Sequence, residues 1–318
     1  MDTTIDGRAR PTRFEHEALI YHGVDELLAG IVPFLRAGLH DGDPMLVALP
    51  RPHLRALQAE LDGDADAITF LDMYEVGTNP ARIIPVWADF LRQAEPGTTP
   101  RGIGEPVWDG RRADELAECE HHEGLLNVAF HTSPPWLLLC PYDAAVLPPE
   151  ALEAAARTHP ALVSSDGACT RSERWTDVAT MAEPNRRPLS PVPLDAATLV
   201  FATEELRQVR RLVLHVAATS GLSSARAQDL ALAAHELAAN SILHGGGTGV
   251  VRAWVHGDTT LVEVCDAGEI DDPLVGRRQP NPERVGGRGV WMANQLCDLV
   301  QVRRLPTGTA VRLHQRVP

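Results

Sequence analysis

Between residues 17 and 157 the chain alternates amphipathic stretches of helical spacing with short apolar runs. One run, WLLLC at 136–140, is apolar at every position, which is typical of a strand buried on both faces of a mostly parallel sheet. The pattern predicts an N-terminal α/β domain of three layers. Its predicted helices cover 25–39, 51–61, 80–94, 112–126 and 148–157, and its predicted strands cover 45–49, 67–71, 102–106 and 136–140.

A proline-rich stretch, EPNRRPLSPVP at 183–193, interrupts this pattern and predicts an extended linker. Two predicted helices follow it, one with Thr203 as a candidate N-cap and one beginning near Ser223. Predicted strands at 249–257 and 260–266 form a hairpin around Gly257-Asp258. A third helix and strands at 299–305 and 309–316 complete an α/β sandwich with helices on one face. We therefore expect domains at 14–166 and 195–316, joined by a linker at 167–194.

The composition excludes several classes of function. All 29 basic residues are arginines, so a Walker-type phosphate loop, a protein kinase of the strand-lysine type and Schiff-base chemistry are absent. The net charge is −14, and no segment has the basic surplus that binding to a nucleic acid requires. We expect a protein or a small molecule as the partner.

The five cysteines form no CxxC pair, and the sequence has neither a secretory signal nor an apolar run long enough for a membrane helix. These features predict a cytoplasmic protein with reduced thiols.

The second predicted helix of the C-terminal domain carries a polar stripe. Glu236 and Asn240 lie four residues apart, and His244 extends the stripe by one turn. Apolar positions such as Leu230 and Leu237 fall on another face of the helix. An isolated pair of this kind more often belongs to a solvated helix face than to a binding site. The stripe therefore indicates a site only in combination with the motifs that follow it.

Further motifs lie at the ends of the next predicted elements. Asp266 and Gly268 fall where a strand leaves the sheet, and a carboxylate there can accept a hydrogen bond from an exocyclic amine. The run GGRG at 286–289 opens a helix, where successive backbone N–H groups can bind an anion. Gly308-Thr309 begins the last strand. Each motif alone is also compatible with an ordinary turn.

Taken in order, these four motifs resemble the nucleotide-binding boxes of the GHKL ATPase superfamily. The segments HELAANSILHGG, VCDAGEIDDP, GGRGVWMANQLCD and GTAVRLH are similar to those of bacterial anti-sigma factor serine kinases. The resemblance implies a Bergerat-type α/β sandwich that binds ATP and Mg²⁺. A histidine kinase is disfavoured, because His215 lies on the domain's own first helix and no helical hairpin precedes it.

The resemblance also implies a role for each residue at the phosphate end of the nucleotide. Asn240 would bind Mg²⁺, and Glu236 would act as the general base toward an acceptor serine or would position water. Gly287, Arg288 and Gly289 would surround the phosphates as part of a lid.

At the adenine end, Asp266 would bind the amino group, Gly268 would lie beside the ring and Thr309 would support the contact. Ile270 departs from the family pattern, because a second glycine often stands at its position. The lid, at 271–285, is short, which disfavours a long conformational cycle.

Residues 14–166 resemble the MEDS sensory domain of bacterial regulators. The sequence segments that carry the resemblance are FEHEALIYHGVDELLAGIVPFLRAGLHDGDPMLVALP, NPARIIPVWADFL, RGIGEPVW and CPYDAAVL. Ligands of open α/β sheets bind beyond the carboxyl ends of the strands. The polar residues predicted there form an acidic and partly aromatic edge, although hydrogen bonds to loop backbone would explain them too: Asp72, Tyr74, Glu75, Glu105, Cys140, Tyr142 and Asp143.

One predicted helix of this domain raises the question of a metal site. Cys119, His121, His122 and Glu123 lie within about a turn and a half of one another. One helix cannot close a tetrahedral site without distant partners such as His16 or His131, so a surface or core role is favoured.

Together these features predict a two-domain regulator. The sensory domain would control an ATP-binding domain that sequesters a sigma factor, phosphorylates a STAS-domain anti-sigma antagonist on serine, or does both. An ATP-gated scaffold or sensor without phosphoryl transfer is the alternative. By analogy with anti-sigma kinases, a homodimer would form through the helix at 206–216.

Overall fold

The computed structural model describes residues 10–183, 185, 187–280 and 288–317. The chain divides into two compact units, 1–182 and 183–318. Among the described residues, none of the helices is both long and apolar enough to cross a bilayer.

The first unit is built on a seven-stranded sheet of order β3-β2-β4-β5-β1-β6-β7. Every neighbouring pair is parallel except β6 and β7, which are antiparallel. The strands are β1 (Phe14–Tyr21), β2 (Met45–Leu49), β3 (Thr69–Asp72), β4 (Arg101–Gly104), β5 (Trp136–Asp143), β6 (Ala161–Ser164) and β7 (Cys169–Arg171).

Helices cover both faces of this sheet. Leu137 and Leu139 of β5 face one side, where they share an apolar core with α1 and α2. Trp136 of the same strand faces the other side and packs against Trp87 of α4 and Phe130 of α5, at ring-centroid distances of 5.9 and 5.1 Å. The three-layer, mostly parallel α/β domain predicted from the sequence is therefore confirmed. The helices are α1 (Gly23–Asp41), α2 (Arg51–Leu61), α3 (Met73–Val76), α4 (Ile83–Gln93), α5 (Ala113–Phe130), α6 (Pro149–Thr158) and α7 (Val178–Met181).

Three strands of this sheet had no counterpart among the predicted elements. β1 lies in the middle of the sheet, yet its sequence FEHEALIY carries two glutamates and a histidine, so it lacks the apolar run by which the other strands were recognised. β6 and β7 are short. β7 and α7 both fall within the range 167–194 that was expected to be linker.

The second unit has a five-stranded antiparallel sheet of order β11-β12-β10-β9-β8, packed on one face against three helices. The predicted sandwich and its hairpin at Gly257 are confirmed. The elements are β8 (Ala197–Phe201), α8 (Leu206–Ser220), α9 (Ser224–His244), β9 (Gly249–His256), β10 (Thr259–Asp266), α10 (Arg288–Leu296), β11 (Leu299–Leu305) and β12 (Gly308–Arg316).

Local signals fix the ends of the two long helices. Residues 203–205, where an N-cap was expected, form a single 3₁₀ turn that leads into α8. Gly221 ends α8 in the left-handed region, at φ 84°. The Ser223 side chain accepts a hydrogen bond from the backbone N–H of Arg226 and caps α9.

The face of this sheet opposite the helices is polar and buried. The Arg312 guanidinium pairs with the carboxylate of Glu263 at 2.6 Å. Arg312 also donates a hydrogen bond to the Ser190 hydroxyl, and Arg303 donates one to the carbonyl oxygen of Arg187. The proline-rich segment before β8 is thus bound to this face of its own domain.

Candidate functional site

A cavity of about 290 Å³ lies at the end of β10 in the second unit. Its apolar wall includes Leu237, Val264 and Val311, and its polar lining includes Asn240 and Asp266. Residues 268–272, which follow β10, close another side. The cavity therefore joins an apolar slot to a few fixed polar groups, as small-molecule sites do.

Asp266 is the best-anchored polar group of this cavity. One carboxylate oxygen accepts a hydrogen bond from the Ser241 hydroxyl at 2.6 Å, and the other accepts one from the backbone N–H of Gly268 at 2.8 Å. A carboxylate has about four acceptor positions, so two partners leave capacity for a ligand N–H. The two contacts fix the carboxylate and leave it able to accept from a bound amine.

Glycines allow the backbone to close tightly around Asp266. A Cβ on Gly268 would lie 2.8 Å from the Cα of Gly245, and one on Gly245 would lie 2.4 Å from the Asp266 carboxyl carbon. Gly268 lines the cavity, but its lack of a side chain is required by the packing of this loop against the end of α9.

Asn240 lines the cavity from α9, whereas Glu236, one turn earlier, is not among the lining residues. A Cβ on Gly289 would lie 2.2 Å from the Asn240 amide nitrogen, so glycine permits α10 to begin directly against Asn240. Arg288 is the first residue of α10 and is exposed. The structure brings Asn240 and the start of α10 together and leaves Glu236 beside them.

Thr309 connects the last strand to the same loop. It lies opposite Asp266 in the pairing of β12 with β10, and its hydroxyl donates a hydrogen bond to the carbonyl oxygen of Gly268 at 2.8 Å. Ile270 also lines the cavity. The eighth predicted site residue, Gly287, lies outside the described residues.

Two supporting residues had not been predicted. Ser241 holds the Asp266 carboxylate, and the Asn294 amide donates a hydrogen bond to the carbonyl oxygen of Gly276 at 2.9 Å. Ser241 directly follows Asn240 in sequence, but a serine on an apolar helix face gives no local signal that it will bind an aspartate on a distant strand. Asn294 ties the segment after the cavity to α10.

At the carboxyl edge of the first unit's sheet, several of the predicted acidic residues already have hydrogen-bond or ion-pair partners within the protein. Glu105 is buried; it accepts a hydrogen bond from the Tyr21 hydroxyl at 2.7 Å and lies 2.8 Å from Nδ1 of His53. The hydrogen bond to Glu105 raises the pKa of His53, and burial raises the pKa of Glu105. Asp72 and Glu75 both pair with the exposed Arg51.

Two residues expected at this edge belong instead to the body of the sheet. Cys140 and Tyr142 are fully buried within β5, so neither lies at the rim. The prediction that they line an edge crevice was wrong, because β5 extends three residues beyond the predicted strand.

Comparison with protein families agrees with both folds. Residues 15–160 match the family model MEDS, described as the MEthanogen/methylotroph, DcmR Sensory domain. Residues 199–314 match the model of the histidine kinase-like ATPase domain. The chain thus carries a MEDS sensory domain followed by a histidine kinase-like ATPase domain, an architecture typical of a regulatory ATP-binding protein. A search of curated proteins found none that matches the chain.

Proposed function

We propose that this protein is an anti-sigma regulator whose ATPase domain binds Mg-ATP and phosphorylates a STAS-domain antagonist on serine, sequesters a sigma factor, or does both. The MEDS domain would control this activity. The observation that carries the proposal is one cavity lined by Asn240, Asp266, Gly268 and Thr309, in the domain that matches the ATPase family.

The residues present suit a purine nucleotide. The apolar slot can take a flat ring, and the fixed Asp266 carboxylate has acceptor capacity for an exocyclic amine. A volume of about 290 Å³ is at the lower end of small-molecule sites, so the slot suits the nucleoside and leaves the phosphates toward Asn240 and the start of α10.

The phosphate end can function without lysine. Mg²⁺, when bound, neutralises phosphate charge, and the side-chain oxygen of Asn240 is a suitable ligand for it. The N-terminus of α10 offers backbone N–H groups, and Arg288 adds a guanidinium there. The absence of lysine from the chain is therefore compatible with phosphoryl transfer.

Glu236 is the proposed general base. Its carboxylate would take the proton from the acceptor serine hydroxyl while that oxygen forms a bond to the γ-phosphorus of ATP and the bond to the β–γ bridging oxygen breaks, releasing ADP. Glu236 lies outside the lining of the cavity but one helical turn from Asn240, which suits a group that faces a protein acceptor rather than the nucleotide.

A scaffold that binds ATP without transferring phosphate is the second candidate. The presence of Ile270 in the cavity lining, where the family pattern often has a second glycine, favours this alternative. The two functions differ in whether label from ATP reaches a partner.

Phosphotransfer from ATP labelled on the γ-phosphate to candidate STAS proteins tests the proposal, with nucleotide binding measured by calorimetry. We expect Glu236→Ala to abolish labelling but to keep Mg-ATP binding, and Asn240→Ala to lose Mg²⁺-dependent binding. Glu204→Ala, which removes an exposed carboxylate in the same domain, is the control and should behave as wild type. Labelling by Glu236→Ala at the wild-type rate would refute the base assignment, and binding without any labelling by wild type would favour the scaffold.

A further inference from the structure

Four polar side chains from four different elements converge in the interior of the first unit. They are His16 of β1, Glu123 of α5, Cys140 of β5 and His159, which follows α6. Each is at most 2% exposed, and their ligand-type atoms lie within 4.8 Å of one another. His16 and Glu123 are among the possible metal ligands in the sequence, where a surface or core role was favoured, and the fold supplies two further partners, Cys140 and His159.

The hydrogen bonds around His16 fix which ring nitrogen carries its proton. The Asn127 amide nitrogen donates to the carbonyl oxygens of Glu123 and Thr158, so its side-chain oxygen must face His16 Nδ1, 3.3 Å away. That oxygen can only accept, so Nδ1 bears the proton and Nε2 presents its lone pair to the cluster.

His159 is oriented in the same way. Its Nδ1 lies 2.9 Å from the carbonyl oxygen of Ala155, which makes Nδ1 the protonated nitrogen and leaves Nε2 directed at Glu123. Second-sphere partners hold the histidine ligands of metal sites in this manner, with one ring nitrogen donating and the other binding the ion.

As a result, the lone pairs of both imidazoles face the Glu123 carboxylate at the centre of the cluster, and the Cys140 thiol is the fourth group there. A Glu123 oxygen lies 3.1 Å from His16 Nε2 and 3.4 Å from His159 Nε2, yet the Glu123 oxygens and His159 Nε2 make no hydrogen bond within the described structure. The single proton of the Cys140 thiol, 3.3 Å from His16 Nε2, cannot satisfy all of these buried acceptors, and a cation in its place relieves the conflict.

Three of the six ligand–ligand distances suit a tetrahedral ion. Metal–nitrogen and metal–oxygen bonds of about 2.0–2.1 Å place tetrahedral ligands roughly 3.3–3.4 Å apart, and a thiolate at about 2.3 Å is slightly farther. The separations from Glu123 are 3.1 and 3.4 Å, and His16 Nε2 lies 3.3 Å from the Cys140 sulfur. One carboxylate, one thiolate and two neutral imidazoles also balance the charge of a divalent cation, which a fully buried site requires.

We propose that the MEDS domain holds a structural Zn²⁺ ion bound by His16, Glu123, Cys140 and His159. Four protein ligands close the coordination sphere, so the ion ties β1, β5, α5 and the end of α6 together rather than binding a substrate. This proposal is independent of the nucleotide site.

Full-length protein stripped with a chelator and titrated with Zn²⁺ against a chromophoric competitor tests the proposal. We expect one equivalent to bind, with an affinity reduced about a hundredfold or more in Cys140→Ser and in His159→Gln. Cys119→Ser is the matched control: it removes a buried thiol from α5 outside the cluster and should keep the metal. Stoichiometric zinc retained by Cys140→Ser at wild-type affinity would overturn the ligand set.

Substitution with Co²⁺ decides the question even where a variant fails to fold. The wild-type chain should give the intense visible absorption of tetrahedral Co²⁺ together with a sulfur-to-metal charge-transfer band in the near ultraviolet. Absence of both from folded wild-type protein would mean that the cluster only shares protons, and the proposal would be wrong.

Discussion

The cavity of the ATPase domain and the buried cluster of the MEDS domain both lie between a sheet and its helices, but they are built in opposite ways. In the cavity, glycines bring backbone close and leave an open slot, and the anchoring carboxylate of Asp266 already has hydrogen-bond donors. In the cluster, four buried side chains converge, and their ligand-type atoms lie within 4.8 Å of one another.

This difference means that the two sites suit different kinds of ligand. An organic ligand needs volume and a few oriented polar groups, whereas a metal ion needs converging lone pairs and almost no volume. A polar group that is already satisfied, as Asp266 is, orients a ligand. A carboxylate buried beside two imidazole lone pairs, as Glu123 is, would be stabilised by a bound cation.

Among the substitutions that test this comparison, Gly308→Ala should have the largest effect. Gly308 has φ +137°, and a Cβ there would lie 1.9 Å from the carbonyl oxygen of Asp266. We expect the ATPase domain to lose about 3 kcal/mol or more of unfolding free energy and the protein to lose ATP binding, as measured by denaturant unfolding and calorimetry. Gly257→Ala, at φ +59° with open space around it, should cost only about 1 kcal/mol and keep binding. Equal effects of the two changes would show that the close approach at Asp266 is unimportant.

Asp266→Asn is expected to have the next largest effect. It replaces one acceptor oxygen by an amide that donates, so affinity for Mg-ATP should fall about tenfold to a hundredfold in a calorimetric titration. Zinc content should not change, because the cluster belongs to the other compact unit. Ser241→Ala, which removes only the supporting hydroxyl, should give a smaller loss; a larger loss than that of Asp266→Asn would contradict the assigned order of roles.

The smallest effect concerns His53, whose ring nitrogen Nδ1 lies 2.8 Å from a carboxylate oxygen of Glu105. Its bond to Glu105 raises the pKa of His53 above 6.5, so the pair stabilises the fold below pH 6.5 and this contribution is lost as the pH rises through the folded-state pKa. The ring is partly solvated, so the contribution should be about 1 kcal/mol or less. NMR titration of His53 should show a midpoint above 6.5 that falls in Glu105→Gln; an unchanged midpoint in that variant would exclude Glu105 as the cause.

The two sites also differ in how far the sequence reveals them. The motif at Asn240 lies on a helix and those at Asp266 and Thr309 lie at strand ends, in a fixed order along the chain, and the predicted sandwich was confirmed. The cluster joins residues 16, 123, 140 and 159, which come from separate elements and share no local motif. His16 also lies in β1, whose charged sequence concealed a central strand, so its neighbours could be known only from the sheet order.

The proline-rich segment has a structural consequence for the ATPase domain. Arg312, which binds Ser190 of that segment, lies on the same strand as Thr309, three residues further along. Release of the segment from the sheet would break its hydrogen bonds with Arg303 and Arg312. The strand that carries Thr309 would then lose one of its contacts. The proline-rich segment therefore also supports a strand that lines the cavity.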